Sequence, residues 1–323
     1  MWHYIVMALG WIIKTVYNFC QNYGVAIILF TAIIKLALLP LNIKSQKAMK
    51  KQQMVQPLLA ELQKKYANDQ QKLQQETMKL YKENNVSMTG GCLPLLIQMP
   101  ILFALYEAIR RPLTYMFNVP FKNVPADVLA KVDSLKNAVI EAGHDIGNLA
   151  DMSAENLMVN NQINISSWAG EVGGKLHEWY INFNFLGLDL SKAPQNAMAY
   201  LGDMANHLDV VLLILIPLFA VLASIAQSKL SMKLSGQSNK NTNSQAADQA
   251  QAMNGMMTWM MPIMTGVFTF TLPAGIGLYW IVSSILQIVQ QVVVNKYFDK
   301  KGDEFVVKVS EKNNKHGKKG KKH

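Results

Sequence analysis

The stretch FTAIIKLALLPL, residues 30–41, is almost entirely apolar, yet Lys35 lies near its centre. It belongs to a longer apolar run over 24–43, and about 20 such residues are enough for a helix to cross the hydrocarbon of a bilayer. A charged side chain near mid-depth costs about 2.5–3.5 kcal/mol on insertion scales. The run therefore predicts a transmembrane helix that carries a costly cation. Polar groups elsewhere in the sequence are needed to offset that cost.

Further runs of the sequence are apolar enough to be membrane-spanning helices. The last two are joined by TLPAG, in which Pro273 and Gly275 favour a tight turn, so we expect them to form a helical hairpin. With 50% hydrophobic residues among 323, the sequence predicts an all-α integral membrane protein. The five predicted transmembrane helices are 24–43, 90–110, 209–228, 256–272 and 275–294.

The distribution of lysines predicts how these helices are oriented. Residues 44–89 hold nine lysines against four acidic residues, and residues 296–323 hold ten against four. The long connection 112–206 shows the reverse, with five lysines against ten acidic residues. Lysine-rich flanks stay on the cytoplasmic side of a membrane. We therefore expect the N-terminus outside the cell and the C-terminus in the cytoplasm.

The first 23 residues are predicted to form an amphipathic helix in the outer membrane interface. The apolar run MWHYIVMALGWII has 13 residues, which is too short to span, and it has no signal-peptide cleavage site. On a helical wheel the polar and apolar residues form separate stripes. One stripe holds His3, Gly10, Lys14, Asn18 and Gln21, and mostly opposite lie Trp2, Ile5, Val6, Leu9, Ile13 and Val16. A sixth span over 1–20 is the alternative.

Three cytoplasmic segments are predicted from composition. Residues 44–89 are rich in Lys, Gln, Glu, Met and Leu, which favours a helical hairpin with helices at about 45–66 and 70–84. Asp69 is a plausible N-cap of the second helix, and Pro57 should kink the first or mark its restart. The polar, low-complexity segment 229–255 predicts a flexible loop, and 295–323 a mobile basic tail.

The extracellular connection 111–208 is long and acidic. Its segments 125–142 and 153–160 can form short amphipathic helices. Trp168, Trp179 and Tyr180 are expected to anchor at the membrane interface, where aromatic side chains with a polar end are enriched.

Catalytic and metal-binding constellations are missing from the sequence. The six histidines are scattered and have no cysteine at ligand spacing, and there is no phosphate-binding glycine loop or nucleophile elbow. Cys20 and Cys92 fall on opposite sides of the predicted membrane, which is too far apart for a disulfide. We therefore predict a protein that is not an enzyme and needs no metal or cofactor.

Polar residues on the predicted helices suggest an environment for Lys35. The acidic residues of the other spans are Glu107 and Asp209, both at outer ends. Thr31 and Asn42 lie within about 40° of Lys35 on a helical wheel. The other polar residues are Gln98, Gln227, Trp280, Ser283, Ser284, Gln287, Gln290 and Gln291. Facing one another, these groups would line a water-holding cavity, and the alternative is that they form interhelical hydrogen bonds that only hold the bundle together.

Three stretches resemble the YidC membrane-protein insertase family. GGCLPLLIQMPILFALYEAIR at 90–110 is similar to the second core span of that family, and GIGLYWIVSSILQIVQQ at 275–291 to the last. IIKLALLPLNIKSQKAMKKQQMVQPLLAELQKKY at 33–66 resembles the first core span and the start of the cytoplasmic hairpin. The resemblance covers most of the chain except 113–206 and the extreme C-terminus.

The resemblance implies five core helices around a hydrophilic groove that opens to the cytoplasm and the lipid and is closed to the outside. It aligns Lys35 with the essential positive residue of the groove, which is Arg in most bacterial relatives. Lysine keeps the charge but loses the bidentate fork of arginine. Thr31, Gln98, Gln227, Tyr279 and Trp280 match groove positions. The chain lacks the β-domain and extra first span of Gram-negative members, so it resembles those of Gram-positive cells.

The resemblance further implies a multi-pass protein of the bacterial cell membrane that inserts, folds and helps assemble membrane proteins, alone or with the Sec translocon. Expected partners are nascent membrane-protein clients, the ribosome through the lysine-rich tail and cytoplasmic loops, the Sec translocon, the signal recognition particle receptor and membrane lipids. The alternative is a small-solute transporter in which Lys35 binds an anionic substrate. Transporters commonly contain internal repeats, and none is visible between the halves of this chain.

Overall fold

The computed structural model of the chain describes residues 2–67, 69–84, 86, 93–120, 123–172, 178–203, 208–234 and 259–301. Within these ranges the protein is mainly α-helical, which confirms the expected class. The helices are α1 (Trp2–Cys20), α2 (Tyr23–Ala37), α3 (Leu39–Met54), α4 (Gln56–Lys65), α5 (Gln70–Glu83), α6 (Leu93–Arg110), α7 (Pro112–Tyr115), α8 (Ala126–Glu141), α9 (Ala154–Asn160), α10 (Gln162–Val172), α11 (Leu208–Leu212), α12 (Leu215–Leu234), α13 (259–271) and α14 (Ala274–Lys301). The connection 111–208, which the sequence predicts to be extracellular and which we call the outer connection, also holds 3-10 turns at Gly147–Leu149 and Pro194–Asp203. It contains an antiparallel pair of strands, β1 (Asn184–Phe185) and β2 (Leu188–Asp189).

Among the residues described, one helix is long and apolar enough to cross a membrane by itself, Ala274–Lys296 within α14. Tyr23–Ala37 and Leu39–Met49 pass the same test only together, as a broken span, and Leu215–Ser231 is a shorter apolar helix. The five transmembrane helices therefore stay a prediction, whereas the helical architecture is observed.

The predicted helix 24–43 is not continuous in the structure. It is interrupted at Leu38, where α2 has ended and α3 has not begun. Pro40 explains the break, because its ring has no N–H to donate to the Leu36 carbonyl and collides with that carbonyl in a regular helix. Helical hydrogen bonding resumes directly after the break, because the Asn42 N–H donates to the Leu38 carbonyl at 2.9 Å.

The predicted helix 209–228 is also divided. α11 ends at Leu212, and a tight turn follows in which the Ile216 N–H donates to the Leu213 carbonyl at 3.1 Å. Pro217 cannot donate to the Leu213 carbonyl, so α12 starts as a new helix. Helix α13 covers most of the predicted span 256–272, of which 256–258 lie outside the described residues. The predicted span 275–294 lies inside α14.

The chain forms two compact units. The first comprises Met1–Leu36, Ile97–Ala223 and Pro262–Ser283, and it contains one apolar core around α1, α2, α6 and the start of α14 and another in the outer connection. The second comprises Ala37–Leu96, Ser224–Met261 and Ser284–His323. Val55, Tyr81 and Val86 form a small apolar cluster within it.

The hairpin helices of the second unit begin where the sequence indicates. Pro57 lies in the first turn of α4, where the missing N–H costs nothing, so it marks a restart as expected. The Asp69 side chain accepts a hydrogen bond from the Lys72 N–H at 3.0 Å, which confirms the predicted N-cap of α5.

Helix α1 buries one residue of the stripe that the sequence predicts to be polar. Its buried residues are Val6, Gly10, Ile13 and Tyr17, so Gly10 does not belong to a solvated polar stripe. The reason is close packing, because a Cβ at Gly10 would overlap the carbonyl of Tyr115 in α7. The exposed face is instead rich in large apolar side chains, namely Trp2, Tyr4, Ile5, Trp11 and Phe19.

The outer connection folds into a small helical subdomain. Helices α8 and α9 form close to the expected boundaries, and α10, which the sequence reasoning did not identify, packs on both. Trp168 and Trp179 are 7% and 5% exposed and lie in the core of this subdomain, so their predicted role as membrane anchors is wrong. We call helices α8 to α10 with Trp179 the outer subdomain.

Candidate functional site

Helix α2 positions Lys35 and Thr31 one turn apart on the same face. Lys35 lies in the last turn of α2, where its side chain is half-buried. Thr31 is fully buried, and its hydroxyl donates to the Ile27 carbonyl of the same helix at 2.6 Å. The Thr31 oxygen therefore keeps only acceptor capacity for another group. The break at Leu38 follows Lys35 by three residues.

A direct hydrogen bond joins two of the predicted site residues across the first unit. The Gln98 amide in α6 donates to the Tyr279 hydroxyl in α14 at 2.6 Å. Tyr279 is 2% exposed, and the hydroxyl of Ser283 also lies within hydrogen-bonding reach of it. In a closely packed apolar region such a bond contributes to stability and fixes the two helices in one register.

Trp280 is placed by aromatic packing rather than by a polar contact. Its ring stacks on Phe268 of α13, with centroids 6.4 Å apart and planes 20° from parallel. The indole is only partly buried, so it offers a large, semi-rigid surface beside the Gln98–Tyr279 pair.

Gln227 belongs to the second unit, where it lies half-buried on α12. In the same unit, several glutamine side-chain atoms are buried and have no hydrogen-bond partner among the described residues, namely Gln46 Nε2, Gln290 Nε2 and Gln291 Oε1. Buried polar atoms nearly always have a partner, and ordered water is the usual one when protein atoms are missing. Sequence reasoning identified Gln290 and Gln291 but missed Gln46, because that residue lies beyond the predicted span.

Cys20 has no contact with the candidate site residues among those described. Cys20 is a free thiol that donates to the Asn22 carbonyl at 3.3 Å, and Cys92 lies outside the described residues.

These features define a helical membrane protein whose apolar helices carry a cation and a set of glutamine, tyrosine and serine side chains. Residues 15–301 match the family described as 60Kd inner membrane protein. The chain therefore belongs to that family.

Individual relatives support the same assignment. The chain is 32% identical over 302 residues to a protein named Membrane protein insertase YidC from Oceanobacillus iheyensis, covering 92% of this chain and 84% of that protein. It is 30% identical over 307 residues to Membrane protein insertase YidC 2 of Listeria innocua, covering 94% and 74%. Over a shorter stretch of 85 residues it is 61% identical to Membrane protein insertase YidC of Clostridium perfringens, covering 26% and 36%. The expected likeness to proteins of Gram-positive bacteria is confirmed.

Proposed function

We propose that the protein is a membrane-protein insertase that inserts, folds and helps assemble integral membrane proteins in the bacterial cell membrane. The observation that carries the proposal is the similarity, over more than nine-tenths of the chain, to proteins named membrane protein insertase. Five transmembrane helices would form the membrane region, with the N-terminus outside and the C-terminus in the cytoplasm, as the lysine asymmetry favours.

In this proposal the polar side chains lower the barrier that a client must cross. Lys35 attracts an acidic segment of the client, and Thr31, Gln98 and Gln227 are proposed as further polar residues of the groove. A polar region inside the hydrocarbon shortens the distance over which the client's polar segment must be dehydrated. The apolar span of the client meanwhile passes Trp280 into lipid, and burial at roughly 25 cal/mol per Å² of apolar surface drives the step.

The lysine-rich segments and the exposed face of α1 are proposed to bind partners outside the hydrocarbon of the membrane. The lysine-rich tail and cytoplasmic hairpin are suited to the ribosome, because clustered lysines bind polyanions by releasing counterions. The Sec translocon and the signal recognition particle receptor are further proposed partners. The exposed aromatic face of α1 is suited to lie in the lipid interface, where Trp and Tyr are enriched.

The test is insertion of matched clients by proteins altered at Lys35. Lys35→Ala should lower insertion of a client with an acidic translocated segment by about tenfold or more, the factor that corresponds to about 1.4 kcal/mol. Lys35→Arg should retain insertion, since it keeps the charge. A client whose translocated segment is neutral should suffer less from the Ala change. The assay uses purified protein in liposomes and protease protection of the client.

Lys44→Ala is the matched control, because Lys44 is exposed and lies two turns further along the chain. It should insert both clients normally. Equal insertion of the acidic client by the normal and Lys35→Ala proteins would contradict the proposed role. Uptake of a small anion by the same liposomes, with no insertion, would instead support a transporter.

A further inference from the structure

A short β-hairpin in the outer connection, residues 184–189, carries a leucine that points away from the protein. Its strands β1 and β2 pair in antiparallel register, and Leu186 and Gly187 form the turn between them. Phe185 and Leu188 pack against the apolar core around α1, α2 and α14, whereas Leu186 is 86% exposed. We call residues 184–189 the outer hairpin. Its turn presents one large apolar side chain that the protein itself does not cover.

The backbone conformation of this turn makes leucine a costly residue there. Leu186 and Gly187 have φ angles of 54° and 81°. Two positive φ values are typical of a tight two-residue hairpin turn, in which Asn-Gly is a favoured pair. Glycine and asparagine adopt positive φ readily, whereas a bulky side chain such as leucine rarely does. Because Leu186 is exposed, contacts within the protein do not offset the cost, and an apolar partner outside the chain would.

Backbone hydrogen bonds fix the outer hairpin at the first turns of two apolar helices. The Tyr23 N–H at the start of α2 donates to the Asn182 carbonyl at 3.1 Å, and the Gly275 N–H in the first turn of α14 donates to the Leu190 carbonyl at 3.0 Å. Helix α14 is long and apolar enough to cross a membrane, and α2 is so together with the start of α3. The first residues of such helices lie near the boundary of the hydrocarbon. The hairpin between Asn182 and Leu190 is therefore held near the depth of that boundary.

Side-chain contacts attach the outer hairpin still more closely to α2. Phe185 packs so tightly over Gly24 that a Cβ at Gly24 would overlap its ring. The Asn22 side chain donates to the Asn184 carbonyl at 2.9 Å. Leu186 follows Phe185 directly, and consecutive Cα atoms are about 3.8 Å apart. Leu186 is thus placed beside the beginning of α2.

A second apolar side chain projects from the same junction between α1 and α2. Phe19, in the last turn of α1, is 88% exposed, and among the described residues Phe19 and Leu186 are the most exposed large apolar side chains. Asn22 connects their two segments, because it follows Phe19 by three residues and is bonded to Asn184. Trp11, about two turns earlier on α1, is exposed as well. Leu186 therefore lies close to the end of the exposed apolar face of α1.

The charge distribution around the outer hairpin favours lipid as its partner. The run WYINFNFLGL at 179–188 has no charged residue, although the connection 112–206 as a whole holds ten acidic residues and five lysines. The charges that follow, Asp189 and Lys192, form an ion pair at 3.7 Å. An uncharged apolar turn can enter the interface of a bilayer without the desolvation of a charge. The acyl-chain boundary of a membrane therefore fits this surface better than a charged protein does.

We propose that the outer hairpin is a membrane anchor, in which Leu186 inserts into the acyl-chain region of the adjacent lipid leaflet and, with Phe19, holds the outer connection against the bilayer. Leu186 thus takes the anchoring role that the sequence assigns to Trp168 and Trp179, which are buried in the outer subdomain. The inference goes beyond the proposed insertase function and does not depend on it. It requires only that α2 and α14 enter the bilayer from this end.

The first test measures the depth of a probe at residue 186 in the full-length protein. Leu186→Cys, in a background with Cys20→Ser and Cys92→Ser, is labelled with an environment-sensitive fluorophore and placed in nanodiscs whose lipids carry a nitroxide on the acyl chain. We expect the nitroxide lipid to quench this probe, and aqueous iodide to quench it about fivefold less than a probe at Ile140→Cys, because the interface excludes the anion.

Ile140→Cys is the matched control, since Ile140 is also an exposed aliphatic residue but lies on α8 of the outer subdomain. Its probe should respond to iodide and not to the nitroxide lipid. Quenching of the probe at 186 by iodide alone would overturn the anchor. Nitroxide quenching at both positions would also overturn it, because the fluorophore itself would then partition into lipid. Protection from both quenchers at 186 would mean that protein covers the turn instead.

The second test needs no probe, because the two interpretations predict changes of opposite sign. Leu186→Asn gives the turn its favoured Asn-Gly pair, so a leucine that meets only water would be replaced with a gain in stability. We measure hydrogen exchange of the Leu190 N–H, which donates to the Phe183 carbonyl at 3.0 Å and reports opening of the hairpin. If lipid holds Leu186, the variant should exchange about threefold faster in nanodiscs, because apolar burial is lost. Ile140→Asn should leave this exchange unchanged, and unchanged or slower exchange in Leu186→Asn would contradict the anchor.

Discussion

A glutamine amide inside an apolar helix costs free energy unless it finds a hydrogen-bond partner. Gln98 meets this requirement through the hydroxyl of Tyr279, 181 positions later in the chain. The bond is buried on the Tyr279 side, and water cannot easily replace it there. The pair therefore couples α6 to α14 through polar chemistry, in addition to the apolar contacts that surround it.

We expect Gln98→Leu and Tyr279→Phe to destabilise the protein less in combination than the sum of their separate effects. The coupling free energy should be about 0.6 kcal/mol and at most about 1.7 kcal/mol, the range for hydrogen bonds between helices in membranes. A double-mutant cycle on unfolding in mixed micelles measures it. Tyr279→Phe combined with Thr15→Ala, which is exposed on α1, is the control and should be additive. Additivity in both cycles would mean that the hydrogen bond between Gln98 and Tyr279 contributes nothing to the free energy of unfolding.

The sequence shows which residues are polar within apolar runs, but it does not show how they pair. Gln98 and Tyr279 could both be identified, since each interrupts an apolar pattern at helical spacing or belongs to a specific motif. Their mutual bond depends on the rotation of two helices, which no local pattern encodes. Gln46 was missed for a related reason: it lies in a lysine-rich segment, where a glutamine is indistinguishable from a solvated one until burial is known.

At the scale of elements, the helix breaks follow from prolines that were visible in the sequence. Pro40 and Pro217 each lie inside an apolar run that is long enough to span, and run length alone predicts one helix. The proline ring cannot donate to the carbonyl four residues earlier, at Leu36 and Leu213, and the Leu213 carbonyl accepts from the Ile216 N–H in a tighter turn instead. The break at Leu38 lies three residues after Lys35, so the interruption is close in sequence to the candidate site.

The basic tail is an element whose role can be tested by deletion. Removing residues 311–323, which hold six of the chain's lysines, should weaken ribosome binding and leave folding intact. The loss should be largest at low salt, because affinity for a polyanion falls as salt rises and the dependence scales with the number of charges neutralised. Cosedimentation with ribosomes over a salt series measures it. A variant with those six lysines changed to glutamine should behave like the deletion; unchanged binding by both would assign the tail another role.

At the scale of the whole molecule, the outer connection differs most from what its composition indicates. Composition indicates a loose acidic loop with a few short helices, because each helix there is amphipathic but too short to be stable alone. The structure packs α8, α9 and α10 around a common core that includes Trp168 and Trp179. Aromatic residues that look like membrane anchors in sequence are instead core residues, since amphipathic aromatics suit both environments.

The orientation of the protein in the membrane decides whether this subdomain faces the outside of the cell. Cysteine labelling tests that orientation directly. We expect a membrane-impermeant maleimide to label Ala142→Cys in sealed cells and to leave Gln71→Cys unlabelled until the cells are opened. Both positions are exposed, one on the outer subdomain and one on α5, so accessibility of the side chain does not distinguish them. The physical reason is the charge asymmetry: the segment 44–89 carries nine lysines and the connection 112–206 only five. Each variant is made without the two native cysteines, so that the introduced thiol alone reacts. Labelling of Gln71→Cys in intact cells, with Ala142→Cys protected, would reverse the orientation and place the outer subdomain on the cytoplasmic side.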